Sequence, residues 1–215
     1  MIATQPNFQA VGNCAFISLP SATMGGYTLE SGIIVPPPSK RQEEAAACVG
    51  TVVAVKGPVY YERLDEKRSK VFIDVHPGEK IAVDYRVTST GRQEEHGFSH
   101  TNAWMIDDQL VWQAKPGSLI AIERDGKWEA LGDNVLLKKI VRDNPAFVDS
   151  ILIIPDNAKE IEIRGRGVLV SGEVGVPEGT EIVFDPGKAG VYQFSDGEEF
   201  IVISKSFVLG FVDHA

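Results

Sequence analysis

Short apolar runs, rich in β-branched and aromatic residues, alternate with Gly, Pro and Asp along the whole chain. NCAFISL, GTVVAVKG, EKIAVDYRV, QLVWQA, SLIAIER, NVLLKKIV, EIRGRGVLVSG, TEIVFDP, AGVYQF, EEFIVIS and FVLGFVD each have the length and residue types of a strand. Helical periodicity is nearly absent. The best helix candidate is KRQEEAAACVG, Lys40–Gly50, where Glu and Ala favour helix, and it runs straight into the strand TVVAVKG. Many short strands with frequent turn residues predict an all-β chain, a barrel or a sandwich.

The runs also repeat. GNCAFISL (Gly12–Leu19) has a counterpart in GDNVLLKK (Gly132–Lys139), and GTVVAVKG (Gly50–Gly57) in GRGVLVSG (Gly165–Gly172). HPGEKIAVD (His76–Asp84) matches PEGTEIVFD (Pro177–Asp185), and SLIAIE (Ser118–Glu123) matches FVLGFV (Phe207–Val212). Between the first two matches each half carries an aliphatic triplet before proline, Ile33-Ile34-Val35 in SGIIVPPPSK and Leu152-Ile153-Ile154 in SILIIPDNAK. The common order predicts two homologous β domains, 1–124 and 125–215, joined near ERDGKWEALG, with insertions in the first.

A triplet before proline ordinarily marks a buried strand end, because short apolar runs most often belong to a core. Two triplets at matching places in a duplication favour a shared role at a loop, since proline blocks both helix and ladder.

Charge and composition narrow the function. A formal net charge of −9 argues against nucleic acid and against anionic membranes. No apolar run approaches the ~20 residues of a membrane span. The stretch MIATQPNFQAVGNCAF has neither a basic region nor a long apolar core, so no signal peptide is expected. Cys14 and Cys48 match no C-x-x-C pattern, and reduced thiols are the plain expectation. His96 and His100 have a ligand-like spacing, but no third ligand accompanies them, so no metal is expected. No phosphate loop, catalytic triad signature or convergent carboxylate pair is present, which predicts a protein that is not an enzyme.

From Leu131 to Asp213 the order GDNVLLKKI, SILIIPDNAKE, GRGVLVSG, PEGTEIVFDPGKAGVYQF and GEEFIVISKSFVLGFVD resembles the GroES-type co-chaperonins. The first half is similar through SGIIVPPPSK, GTVVAVKG, VHPGEKIAVD and SLIAIE. The family's loop glycine is kept at Gly32 and replaced by Ile151, and its tyrosine-bearing tip after IVF is altered to DPGKAG. The resemblance implies two tandem GroES-like irregular β-barrels that form rings through their first and last strands, Cys14–Leu19 against Phe207–Val212. It implies a GroEL-type chaperonin as partner, with Ile33, Ile34, Val35, Leu152, Ile153 and Ile154 as the docking residues and Gly32 as the hinge. ATP would be used by the partner, so no cofactor is expected in this chain, and the location implied is the cytoplasm, the host's if the chain is viral.

In that family a hairpin after the second strand roofs the dome. Pro58–Asp74, with Tyr60 and Tyr61 flanking a charged tip, fits such a hairpin, whereas the second half has only EVGVP and is expected to lack one. The competing function is a virion or assembly protein that reuses the barrel without a chaperonin. A third reading, a medium-chain dehydrogenase, which carries a GroES-like barrel, is disfavoured by the missing G-x-G-x-x-G half and zinc ligands.

Overall fold

The computed structural model describes residues 10–19, 27–28, 34–35, 48–63, 68–84, 87, 91–94, 97–100, 103–106, 109–143, 160–194 and 198–212. The chain is all-β, and its regular structure among these residues is dominated by antiparallel strands. Two compact units divide it: Met1–Gly132 with Tyr192–Glu198, and Asp133–Val191 with Glu199–Ala215. The helix expected over Lys40–Gly50 is replaced at its end by a strand beginning at Cys48, and 40–47 lie outside the described residues.

The first sheet runs in the order Ala103–Ile106, Gln109–Ala114, Ala15–Ser18, Cys48–Val55, Lys80–Val83, Leu119–Arg124, Lys127–Ala130. Its inward face buries Ile17, Val52, Ile81, Val83, Trp112, Leu119 and Ile122 in one cluster. The second sheet runs Gly190–Gln193, Glu199–Ser204, Asn134–Asp143, Glu160–Ser171, Glu181–Phe184, Val208–Val212. Its core is Val135, Leu137, Leu169, Ile182, Phe184, Ile201 and Ile203. Pairs such as Ile81/Val83, Val135/Leu137 and Ile201/Ile203 follow the period of two, and the spacing of Leu119 and Ile122 reflects the register shift between them.

The two sheets share one strand order, and the agreement extends to single hydrogen bonds. Val52 N–H donates to Glu79 O at 2.9 Å and Gly78 N–H to Val52 O at 2.8 Å; Leu169 N–H donates to Thr180 O at 2.9 Å and Gly179 N–H to Leu169 O at 2.8 Å. Gly78 and Gly179 turn with φ of 92° and 87°, a left-handed conformation that favours glycine. A register shift falls between Phe16 and Ile17 in one sheet and between Leu136 and Leu137 in the other. Asp84 N–H donates to Ser118 O and Asp185 N–H to Phe207 O.

One sequence match is corrected by this register. Ile17 faces Val52, and Leu137 faces Leu169. Gly50 therefore corresponds to Gly167, two residues beyond the Gly165 that the motif suggested. A slip of two keeps every side chain on its face, so hydrophobic pattern alone does not detect it. Close packing explains the glycine. A Cβ on Gly50 would stand 2.3 Å from Ser18 O, and one on Gly167 would stand 2.9 Å from Leu137 Cβ. Gly50→Ala is expected to destabilise the first unit by ~3 kcal/mol, the upper part of the overpacking range. Gly117→Ala, where a Cβ meets nothing within 4 Å, is expected to be nearly silent. Thermal melting of the two variants checks the contrast.

Residues 125–129, read as a linker, instead complete a hairpin of the first sheet. Asp125 (φ 50°) and Gly126 (φ 73°) form its two-residue turn, the Asp-Gly chemistry that such hairpins favour. The return strand Lys127–Ala130 pairs with Leu119–Arg124. Trp128 is buried beneath it, its ring centroid 4.5 Å from that of Phe194.

Within this hairpin, Arg124 ties the strand Leu119–Arg124 to the turn before Lys80–Val83. Its Nε donates to Glu79 Oε1 at 3.1 Å and its guanidinium also donates to Asp74 O at 2.9 Å. Glu79 Oε2 accepts from the His76 backbone N–H at 2.6 Å. Burial raises the Glu79 carboxyl, but the His76 N–H and the Arg124 guanidinium outweigh it and hold the group below its ordinary 4.5. His76, flanked by Asp74 and Glu79, adds attraction when protonated, and Glu129 shares Arg124. A carboxyl lowered by folding contributes stability above its unfolded pKa, and that contribution is lost as pH falls through the folded value. Melting temperature is therefore expected to fall below about pH 4.5, and less steeply in Arg124→Met, which removes the partner. Melts over a pH series test this.

Candidate functional site

The two proline-ended triplets occupy the same place in the common strand order. One lies in residues 20–47, between Ala15–Ser18 and Cys48–Val55, and the other in 144–159, between Asn134–Asp143 and Glu160–Ser171. Each is thus a connection between the first and second strands of its unit. Ile34 and Val35 form a strand antiparallel to Tyr27–Thr28, in a two-stranded sheet separate from both large ones. Gly32, Ile33, Ile151, Leu152, Ile153 and Ile154 lie outside the described residues.

The second loop departs from a ribbon. Past a register shift near Lys139, Val141 faces Glu162, Arg142 faces Ile161 and Asp143 faces Glu160. Lys139 Nζ bridges its root, 2.8 Å from Glu199 Oε2 and 3.6 Å from Glu162 Oε2. The hydrogen bond it donates to Glu199 raises the Lys139 ammonium above its usual range; burial opposes this, and Glu162 adds to it. The cation thus joins Asn134–Asp143 to the strand on either side of it.

Above the first unit stands the hairpin Val59–Glu62 with Lys70–Ile73. Val59 and Ile73 are buried at its foot. Asn13 latches it: the Tyr60 N–H donates to Asn13 Oδ1 at 2.7 Å, and Asn13 Nδ2 donates back to Tyr60 O. Tyr60 and Phe72 face each other across the ladder at 5.7 Å, with Lys70 Nζ 4.5 Å above the Tyr60 ring. In the second unit, Ser171 and Glu181 are joined by turns alone. The segment Ser89–Gln109, unread in the sequence, contributes the hairpin Gly91–Glu94 with Gly97–His100 and the strand Ala103–Ile106 beside Gln109–Ala114. His96 lies outside the described residues, and among the described residues no three His, Cys, Asp or Glu cluster as a metal site would need. Cys14 is a free, buried thiol accepting from Gln113 Nε2 at 3.2 Å.

The assembly edges differ from expectation. Ala15–Ser18, expected to offer an edge, is paired on both sides, by Gln109–Ala114 and Cys48–Val55. Leu119–Arg124 is covered by Lys127–Ala130 and not by the following strand Asn134–Asp143, which belongs to the second sheet. Its counterpart Val208–Val212 ends the second sheet, paired among the described residues with Glu181–Phe184 alone. That edge strand, VLGFV, carries no charge, and Leu209 and Phe211 are 70% and 59% exposed. An open, uncharged edge is a template for another strand. The Asp-Gly turn was the sequence signal for the covering hairpin.

No family model matches the chain. Among curated proteins it is 35% identical over 91 residues to co-chaperonin GroES of Helicobacter pylori (strain Shi470), covering 40% of this chain and 75% of that protein. It is 35% identical over 92 residues to co-chaperonin GroES of Helicobacter acinonychis (strain Sheeba), with the same coverage. Against co-chaperonin GroES of Sulfurovum sp. (strain NBC37-1) identity is 32% over 83 residues, 39% of this chain and 94% of that one.

Proposed function

From the premise that this chain belongs to the GroES co-chaperonin family, we propose that it is a lid for a GroEL-type chaperonin, docking through its aliphatic triplets to assist ATP-dependent folding in the cytoplasm. The observation that carries this reading is the placement of both triplets on the same inter-strand connection of a duplicated fold. Burying three aliphatic side chains offers ~5–9 kcal/mol, much of which the ordering of a loop consumes. Single loops then bind weakly, and several acting together bind well through effective concentration. That balance suits a lid that must also leave. In this reading the chain has no nucleotide chemistry of its own, and ATP is consumed by the chaperonin.

The lid is a homo-oligomer in this reading. Lys127–Ala130 on Leu119–Arg124 serves as the internal template for the contact between copies. The residues 120 positions earlier, 7–10, with Phe8 in place of Trp128, would add to Val208–Val212 of another copy by strand addition. Each chain then has one head and one tail, a heterologous contact that closes into a ring when its rotation permits.

Capture by an immobilised GroEL-type chaperonin, with and without ATP, is the test. Nucleotide-dependent capture is expected. Stable assembly with no capture at any nucleotide state would overturn the lid and leave an assembly protein built on the same fold.

A further inference from the structure

The hairpin of Val59–Glu62 with Lys70–Ile73 is a two-stranded sheet on its own. Its two faces differ. Val59, Ile73 and Tyr61 pack with the core of the first unit. Tyr60, Phe72 and Lys70 instead make an aromatic pair under a cation, and Phe72 is 65% exposed. Its two edges differ as well. Asn13 takes both backbone groups of Tyr60, its side-chain amide standing in for a neighbouring peptide. In an antiparallel ladder a facing pair exchanges both its bonds or neither, so Tyr60 and Phe72 face each other without mutual bonds. The bond from Arg63 N–H to Ser69 O, further along the ladder, agrees with that phase. The N–H and C=O of Phe72, and by alternation those of Lys70, therefore point away from Val59–Glu62. At the foot of this edge Arg124 takes the Asp74 carbonyl. Among the described residues nothing takes the backbone groups of Lys70 or Phe72.

We infer that this open edge binds an extended, non-native segment of the polypeptide that the lid encloses, by strand addition. The inference deepens the lid reading above and rests on it for the partner. Backbone bonds at Lys70 and Phe72 accept every residue type except proline at a donor position, which suits a partner without a fixed fold. The side chains narrow the choice. An apolar residue covers the Tyr60–Phe72 pair, and an acidic one meets Lys70. Lysine on an edge ordinarily repels a further strand. Here its Nζ lies 4.5 Å over the Tyr60 ring, on the face of the hairpin rather than in the path of the added chain. An edge only two residues wide gives a weak contact, as release of the client requires. A second copy fits this edge less well. Asn13 closes the Tyr60 edge, so hairpins cannot join edge to edge in series, and pairing two at a time is not the repeated head-to-tail contact of a ring.

Fluorescence anisotropy of the full chain with labelled peptides tests this. The probes are Thr-Val-Glu-Val-Thr-Val-Gly, the same peptide with lysine for glutamate, and the acidic peptide N-methylated at alternate backbone nitrogens. The acidic peptide is expected to bind and the N-methylated one to lose binding, because its donors are gone. Phe72→Ala is expected to weaken binding about tenfold at unchanged melting temperature. Lys70→Glu is expected to reverse the preference from the acidic to the basic peptide. The Phe72 amide is expected to exchange freely in the free chain and about tenfold more slowly with saturating acidic peptide. No binding at millimolar acidic peptide, equal binding of the N-methylated one, or a Phe72 amide already protected in the free chain would overturn the site. Protection that grows with protein concentration would assign the edge to a second copy and overturn it too. Chaperonin capture without peptide binding would remove the site and leave the lid. Peptide binding by a chain that no chaperonin captures would remove the lid and leave the edge as a peptide site.

Discussion

Ile34→Asp is expected to reduce chaperonin capture by about 100-fold or more, a loss of ~2.7 kcal/mol or more, while the melting temperature stays that of the wild type. The residue pairs in a two-stranded sheet that is not part of either large sheet, and the docking reading leaves its side chain in water until the partner is met. On docking it would have to leave water for an apolar groove, which costs several kcal/mol when no partner awaits it. Ile153→Asp is expected to act in the same direction and more weakly, because its loop carries Ile151 where the first has Gly32. The decisive comparison is capture against melting. If either triplet belonged to a core, the new charge would be buried in the native state and the domain would unfold. A large drop in melting temperature in both variants would therefore remove the docking reading, and unchanged capture in both would do the same.

Much of this was legible because strand pattern and turn chemistry act locally. Each of the eleven runs picked out by alternation contains a strand, down to bounds such as Gln109–Ala114. The shared order of Ala15–Ser18, Cys48–Val55, Lys80–Val83 and Leu119–Arg124 with their later counterparts follows from five matched motifs. Gln109–Ala114 and Glu199–Ser204 hold equivalent places in the two sheets, yet QLVWQA and EFIVIS share only an apolar pattern, which cannot reveal descent. The Gly50–Gly167 correspondence was hidden because a two-residue slip preserves facing; what fixes it is a steric approach between strands far apart in sequence. Ala103–Ile106 was missed for a related reason: AWMI is too short to show a period, and its pairing with Gln109–Ala114 makes it a strand. At the candidate site the sequence located the loops, and the structure added the Tyr27–Thr28 ladder beside one of them.

Joint replacement of Leu209 and Phe211 by lysine is expected to convert an assembled protein into single chains. These side chains are 70% and 59% exposed on the uncharged edge strand VLGFV, so the unit they decorate does not depend on burying them. Lysine on an edge is the device by which sheets refuse further strands. An added strand would desolvate the new ammonium groups, and in a ring the like charges recur at every junction. The folded unit should barely respond, since exposed substitutions usually stay within about 0.5 kcal/mol. Light scattering after size exclusion at micromolar concentration reads the outcome. A wild type that is already a single chain, or a double-lysine variant that keeps its assembled mass, would remove the strand-addition model. The opposite face of the junction supplies an independent check. Phe8→Ser should also release single chains, because residue 8 stands 120 positions before Trp128, whose own strand covers the equivalent edge within the chain. If the two sites meet in one contact, combining Phe8→Ser with the lysines should add little to either change alone, the non-additivity expected of residues that share an interaction. If their effects on the association constant instead sum, residues 7–10 and Val208–Val212 act at different surfaces, and the internal hairpin is no template for the junction between copies.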